Sequence, residues 1–231
     1  MLGILGGMGP AASAEFYRRL VELTPATCDQ EHIPCIIWGD PTVPDRSTSL
    51  INHDDLPWPK LKQGILGLKA AGCTQIAIPC NTAHFWYDRM LELGVPIKHI
   101  ADTVAEELQS RDITSGTIGV IGTKATIELG LYQTHLEKLG YDCVTPSAQD
   151  METLVQPAIN LVKANNLTDA HQLLMQVIDN LYLQGVDAVV LGCTELPLAV
   201  KENTFKGRPL INSIDSLATS IINVMLQPTL F

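Results

Sequence analysis

The sequence predicts an α/β fold of two similar parallel-sheet domains, related by internal duplication, with the working site in the cleft between them. Three observations carry this expectation. Short apolar strand-like runs alternate with segments of helical period along the whole chain, the pattern of parallel sheets with crossover helices. The run Gln75-Ile-Ala-Ile-Pro-Cys-Asn-Thr-Ala-His84 is an apolar strand cut off by a proline, which offers no N–H to a ladder, followed by a cysteine and helix-compatible residues. Asp187-Ala-Val-Val-Leu-Gly-Cys-Thr-Glu195 repeats the plan with Gly192 as the breaker. The spacing repeats as well. Ile4 and Cys80 are 76 positions apart, Ile118 and Cys193 are 75 apart, and each cysteine is followed 16 residues later by a proline (Pro96, Pro209) that introduces a short strand and an amphipathic helix.

In chain order, Leu2-Gly-Ile-Leu-Gly is a buried strand running into a glycine-rich turn, and Pro10 suits the first turn of a helix reaching about Leu23. A second strand is expected over Ile33 to Trp38, then a polar loop from Thr42 to Asp55, then a helix from Trp58 to Ala71 closed by Gly72. The Cys80 strand follows, then a helix to about Leu93, a fourth strand from Val95 to Ile100 and a helix from Ala101 to Ser110 with Glu106 and Glu107 on a solvated face. The second half restarts at Thr117-Ile-Gly-Val-Ile-Gly122. It continues through a helix over 124–139, a strand over 142–145, helices over 150–165 and 168–184, the Cys193 strand and a short strand at 209–211. These assign a first domain to 1–102 and a second to 103–212, with the last helix, 213–231, packing back on the first.

Composition narrows the function. A net charge of −10 gives no basic surface for nucleic acid, and any anionic substrate must be met by a few local cations. No run approaches the roughly 20 apolar residues of a membrane span. The start carries no signal-peptide pattern, and the six cysteines show no zinc spacing, so they read as free thiols of a reducing cytoplasm. Ligands of open α/β sheets bind beyond the carboxyl ends of the strands. Duplication then brings Cys80 and Cys193 to one cleft from opposite sides. Two thiols on opposite faces of one molecule suit a two-base proton transfer, in which one thiolate removes a proton from a carbon while the other thiol delivers one to the opposite face. A helix N-terminus or a nearby cation is expected to activate the first thiolate. Cys28, Cys35, Cys73 and Cys143 lack the repeated context and read as inert core. His84 reads as a structural residue, with acid/base work the competing role. A different enzyme class is held open by Gly7-Met-Gly-Pro-Ala-Ala12, which fits the dinucleotide pattern of a Rossmann-type enzyme. Asp29 and Glu31 fall before the second strand, and Asp40 lies ten positions too late for the ribose acid of that fold. A two-lobed receptor that only binds a small anion is the third class, and it has no use for paired cysteines.

The motifs GGMGP (6–10), DR (45–46), PCNTAH (79–84), IGxxGT (118–123) and GCTE (192–195) resemble, in order and across almost the whole chain, those of the cofactor-independent aspartate/glutamate racemases, closest to aspartate racemase. The resemblance implies an isomerase that interconverts L- and D-aspartate with no pyridoxal phosphate and no metal, a homodimer whose partner is a small dicarboxylic amino acid. It implies Cys80 and Cys193 as the acid/base pair. Asn81, Thr82, Thr194 and Thr123, with the Met8-Gly9 turn, would hold the α-carboxylate and amino group. Arg46 and Lys163 would hold the side-chain carboxylate, and Asp45 and Glu195 would orient or tune these groups. Racemases of glutamate or other amino acids, hydantoin racemases and maleate isomerases share the superfamily and stay open.

Overall fold

A three-stranded parallel sheet forms the first half and a five-stranded sheet the second in a computed structural model that describes residues 1–226. In the first half, β1 (Leu2–Gly6) and helix α1 (Pro10–Leu23) precede β2 (Cys35–Gly39), which pairs parallel with β1. Helices α2 (Arg46–Ile51) and α3 (Trp58–Ala70) lead to β3 (Gln75–Ala77), on the other side of β1. A 3-10 turn (Thr82–Trp86), α4 (Tyr87–Leu91) and α5 (Ile100–Ser110) follow. The second half repeats this with β4 (Gly116–Gly122), α6 (Lys124–Glu128), α7 (Gln133–Leu136) and β5 (Tyr141–Val144). Next come α8 (Ala148–Asp150), a π-helical turn (Met151–Val155), α9 (Gln156–Lys163) and α10 (Leu167–Leu183), leading to β6 (Ala188–Gly192) and α11 (Leu196–Ala199). A hairpin of β7 (Thr204–Phe205) and β8 (Arg208–Asn212) precedes α12 (Ser213–Leu226).

The two sheets have one topology. The orders are β2-β1-β3 and β5-β4-β6-β8-β7, so β1, β2 and β3 correspond to β4, β5 and β6. Among the described strands only β7 runs antiparallel. Val95 to Ile100 corresponds to β8 but is no full strand: it meets β3 in a single parallel bridge, Ile76 to Ile97, with Ile76 N–H donating to Pro96 O at 2.9 Å. The partner strand β3 ends at Ala77, two residues before Pro79, and so offers less ladder than β6 offers β8.

Other departures from the expected elements have local causes. Pro34 delays the second strand, which starts at Cys35. The loop over 42–55 contains α2, because the Asp45 side chain accepts the Thr48 N–H and caps a helix there. The helix expected over 124–139 breaks at Gly130, whose φ of 68° lies in the left-handed region. The helix expected from about 150 holds Pro157, which cannot donate to the carbonyl four residues back, and a π turn precedes it.

Packing places α12 on the first half. Ile214, Leu217 and Ile221 pack with Leu2, Ile4, Phe16 and Ile100, all buried, and the Arg19 guanidinium grips Asp215 with two bonds of 2.6 and 2.8 Å. Glu106 and Glu107 are not simply solvated, since they accept the Ser220 and Ser216 hydroxyls of α12. Residues 227–231, the end of the expected last helix, lie outside the described residues. No described helix is long and apolar enough to cross a membrane.

Candidate active site

The strand ends converge as the duplication requires. β1 runs into Gly7-Met8-Gly9, β3 into Cys80, β4 into Thr123 and β6 into Cys193, and these ends wall one cavity. Met8, Asp45, Arg46, Ser47, Cys80, Asn81, Thr82, Thr123, Ile159, Lys163, Cys193, Thr194 and Glu195 line it. Its volume is only about 30 Å³, room for a couple of waters and not for an amino acid. A wider recess of about 420 Å³ lies outside it and shares Asp45, Ser47, Thr123, Ile159 and Lys163 as walls. Between the halves, Ala125 N–H donates to Ser47 Oγ at 3.2 Å, and the Thr82 hydroxyl lies 3.1 Å from that of Thr123 and 3.4 Å from that of Thr126.

Cys80 and Cys193 are 5% and 3% exposed, and both line the cavity. Burial pushes both thiols above the ordinary thiol range. The expected activation of a resting thiolate is therefore overridden by desolvation. The remaining influences differ between the two. At Cys80 the Arg46 charge works against burial and favours the thiolate, while Glu195 opposes it. At Cys193 the Glu195 carboxylate adds to burial: Cys193 Sγ donates to Glu195 Oε2 at 3.0 Å. Cys80 also raises Cys193, so the two thiols feel each other's charge.

Arg46 opens α2, and its Nη1 donates to Val43 O (3.1 Å) and Pro44 O (2.9 Å). Its Nε is buried and has no partner, an uncommon state for a guanidinium donor. Lys163 ends α9 and forms no ion pair among the described residues. Burial works against the Asp45 carboxylate, but Thr48, Arg46 and Lys163 hold it below the usual carboxylate range. Glu195 stands in the cavity wall, directly on a thiol. Gly9 stands apart from the other expected residues: it is not in the wall but backs Glu195, and a Cβ there would lie 3.4 Å from Glu195 Oε1.

Gly7, the first glycine of the suggested dinucleotide loop, has a packing reason. A Cβ on Gly7 would lie 2.4 Å from the Asp40 backbone, and Ser13 seals the turn by accepting Gly7 N–H and donating to Gly9 O. His84 is buried outside the cavity wall, its Nδ1 2.9 Å from Cys80 O, and burial lowers its pKa to about 4. It acts as a neutral strut under the cysteine turn. One group among the described residues could approach a metal, His99, Asp102 and His135, with ligand atoms within 4.8 Å of one another. It lies outside the cavity, where His99 Nδ1 already accepts Ala101 N–H and Asp102 already binds His135.

Sequence reasoning overlooked Ser47 and Ile159 in the wall, and Thr126, Tyr132 and Ser213 behind it. Ser47 adjoins the DR motif and could have been included with it. The others sit inside expected helices with no local signal. Of the four cysteines expected in the core only Cys73 is buried; Cys35 and Cys143 are half-buried and Cys28 is exposed.

Residues 5–221 match the family model described as Asp/Glu/Hydantoin racemase. The broad-specificity amino-acid racemase RacX of Bacillus subtilis is 29% identical, with 98% of both chains covered. The glutamate racemase of Persephonella marina is 31% identical over 64% of this chain and 56% of its own length. Among solved structures, the aspartate racemase of Picrophilus torridus superposes with a TM-score of 0.85 at 28% identity, covering 97% of this chain and 93% of the other. Fold and family match together define a two-sheet α/β isomerase. The chain belongs to the Asp/Glu/hydantoin racemase family.

Proposed function

We propose that this isomerase racemises a dicarboxylic amino acid, aspartate in the first place, by proton transfer between Cys80 and Cys193. One observation carries the reading: two cysteines from matched strand ends line one cavity together with the unpartnered donor of Arg46. A binding protein needs the guanidinium but not the second thiol. Cys80 as thiolate takes the proton from Cα while the Cys193 thiol gives its proton to the opposite face, leaving Cys80 protonated and Cys193 as thiolate. Arg46 and Lys163 hold the distal carboxylate. Asn81, Thr82, Thr123 and Thr194 hold the groups on Cα. The cavity is too small for an amino acid, so the substrate enters through the outer recess and parts the contact between Ser47 and Ala125.

The near full-length likeness to a broad-specificity racemase favours a second reading, a wider substrate range, and one experiment addresses both. The purified protein, with no added cofactor, is incubated in deuterated water with L-aspartate, D-aspartate, L-glutamate and neutral L-amino acids. Circular dichroism then follows the loss of optical activity, and mass spectrometry the α-deuterium. Racemisation of both aspartate enantiomers with one α-deuterium gained per inversion is expected. Equal rates on neutral amino acids would refute the dicarboxylate assignment, and no exchange on any substrate would refute the racemase reading for these amino acids.

A further inference from the structure

We infer that Tyr132 is a positioning residue that fixes which end of the Asn81 amide faces the substrate. The inference rests on the reaction proposed above. It starts from a chain of buried polar groups whose direction can be read from one end. Leu191 O, on β6, can only accept, so the Ser213 hydroxyl donates to it, at 2.8 Å. The Ser213 oxygen is then left to accept from Asn81 Nδ2, at 3.3 Å. That turns the amide nitrogen toward Ser213 and Asn81 Oδ1 toward Tyr132, whose phenol donates to it at 2.5 Å. All three side chains are nearly or fully buried: Tyr132 and Ser213 at 0% exposure and Asn81 at 2%.

The consequence for the cavity is one of polarity. Asn81 Nδ2 has two hydrogens, and Ser213 takes one. Oδ1 is occupied by Tyr132. Asn81 lines the cavity, so the amide can offer it a donor and keeps its oxygen turned away. A carboxylate only accepts, so this polarity suits the substrate carboxylate and the reverse polarity would repel it. Tyr132 also lies against the other strand end, since a Cβ on Gly192 would come within 2.7 Å of the Tyr132 ring. One side chain from the start of α7 therefore meets the residue after Cys80 and the residue before Cys193.

Tyr132→Phe removes the phenol donor and little else, freeing the amide to turn. The test compares aspartate with its α-carboxamide, isoasparagine, used as an inhibitor, because an amide can pair with either end of Asn81. The KM for aspartate should rise roughly 10-fold or more, the scale of a lost hydrogen bond to a charged group, while inhibition by isoasparagine stays within about twofold. Equal weakening of both ligands would mean a general loosening of the site and would overturn the inference, as would an unchanged KM. Should Tyr132→Phe not fold, Ser213→Ala releases the amide from the other side and should show the same split. An activity-independent measurement separates this inference from the proposed reaction. The Asn81 side-chain NH₂ signals, assigned by their loss in Asn81→Asp, should exchange slowly with solvent in the wild type and faster in Tyr132→Phe. Fast exchange in the wild type overturns the wiring even in an active racemase. Slow wild-type exchange that quickens in the variant supports the wiring even if aspartate is not racemised.

Discussion

Arg46→Lys keeps a positive charge on α2 and removes the fork, which makes it a sharp test of substrate binding. In the wild type, Val43 O and Pro44 O hold the guanidinium through Nη1, and this tether leaves the buried Nε without a partner. A carboxylate entering the cavity can meet Nε and a neighbouring guanidinium nitrogen together, the paired geometry that arginine offers and lysine does not. A lysine ammonium has three donors on one atom, and the same two carbonyls would draw it away from the ligand. Losing hydrogen bonds to a charged group costs about 1.5–3 kcal/mol, roughly a 10- to 150-fold fall in kcat/KM for aspartate. Most of the loss should fall on KM, because lysine keeps the positive charge that supports the Cys80 thiolate. Circular dichroism time courses from L- and D-aspartate over a range of concentrations give both constants. A variant within twofold of wild type would remove Arg46 from the site, and an equal proportional loss on a neutral amino acid would show that the fork does not hold the distal carboxylate.

Cys80→Ala and Cys193→Ala should each lower racemisation by about 10²–10⁴-fold; any residual α-deuterium exchange should favour opposite enantiomers in the two variants, and near wild-type racemisation by either would exclude the two-thiol mechanism. Because burial raises the Cys80 thiol and the base is the thiolate, kcat/KM should climb with pH through the ordinary thiol value of about 8.5 without levelling there, and a plateau already at pH 7 would contradict this. Burial lowers the His84 pKa from 6.5 to about 4, so the unfolded chain takes up this proton first as pH falls. Stability should then be full above pH 6.5 and fall by about 3 kcal/mol between pH 6.5 and 4 from this residue alone, at about 1.4 kcal/mol per pH unit. Denaturant melts of wild type and His84→Asn across that range check it; identical pH slopes would mean that His84 is not buried neutral.

Much of the site was legible because its residues follow strand ends, where a proline or glycine breaker after an apolar run is a local and strong signal. Cys80 and Cys193 stand out for that reason, and the repeat of the breaker pattern doubles the signal. Lys163 is legible only through family likeness, since a lysine at the end of a helix is an ordinary feature. Tyr132 is invisible at this level. It lies within a segment of helical period, and only the left-handed turn at Gly130 shows why the phenol reaches Asn81. The apolar residues after Pro96 look like those of β8, but their partner strand β3 is only three residues long and gives them a single bridge. The cap at Asp45 was there to be read, an aspartate three residues before the Thr48 N–H it binds, but the surrounding polar residues concealed it.

Duplication explains why there are two cysteines, and the unlike neighbours explain how a symmetric reaction runs on them. On the reading proposed above, L- and D-aspartate are mirror images, the equilibrium constant is unity, and kcat/KM must therefore be equal in the two directions. Nothing requires kcat and KM to be equal separately. The structure gives Cys80 a cation, Arg46, that favours its thiolate, and gives Cys193 a carboxylate, Glu195, that disfavours it. Burial alone would leave both thiols protonated and neither able to start. Arg46 makes Cys80 the thiol that ionises at lower cost and Glu195 keeps Cys193 protonated, so the ionised form of the site, once reached, is set for one enantiomer. After inversion the protons have changed places, and Glu195 Oε2, 3.0 Å from Cys193 Sγ, then faces a thiolate that it repels. That repulsion favours return of a proton to Cys193 from solvent, and the pair regains its starting state when Cys80 releases to solvent the proton it took. On the proposed reading, the unlike neighbours bias the ionised form of the site toward one direction of transfer, while the matched strand ends keep the other direction open.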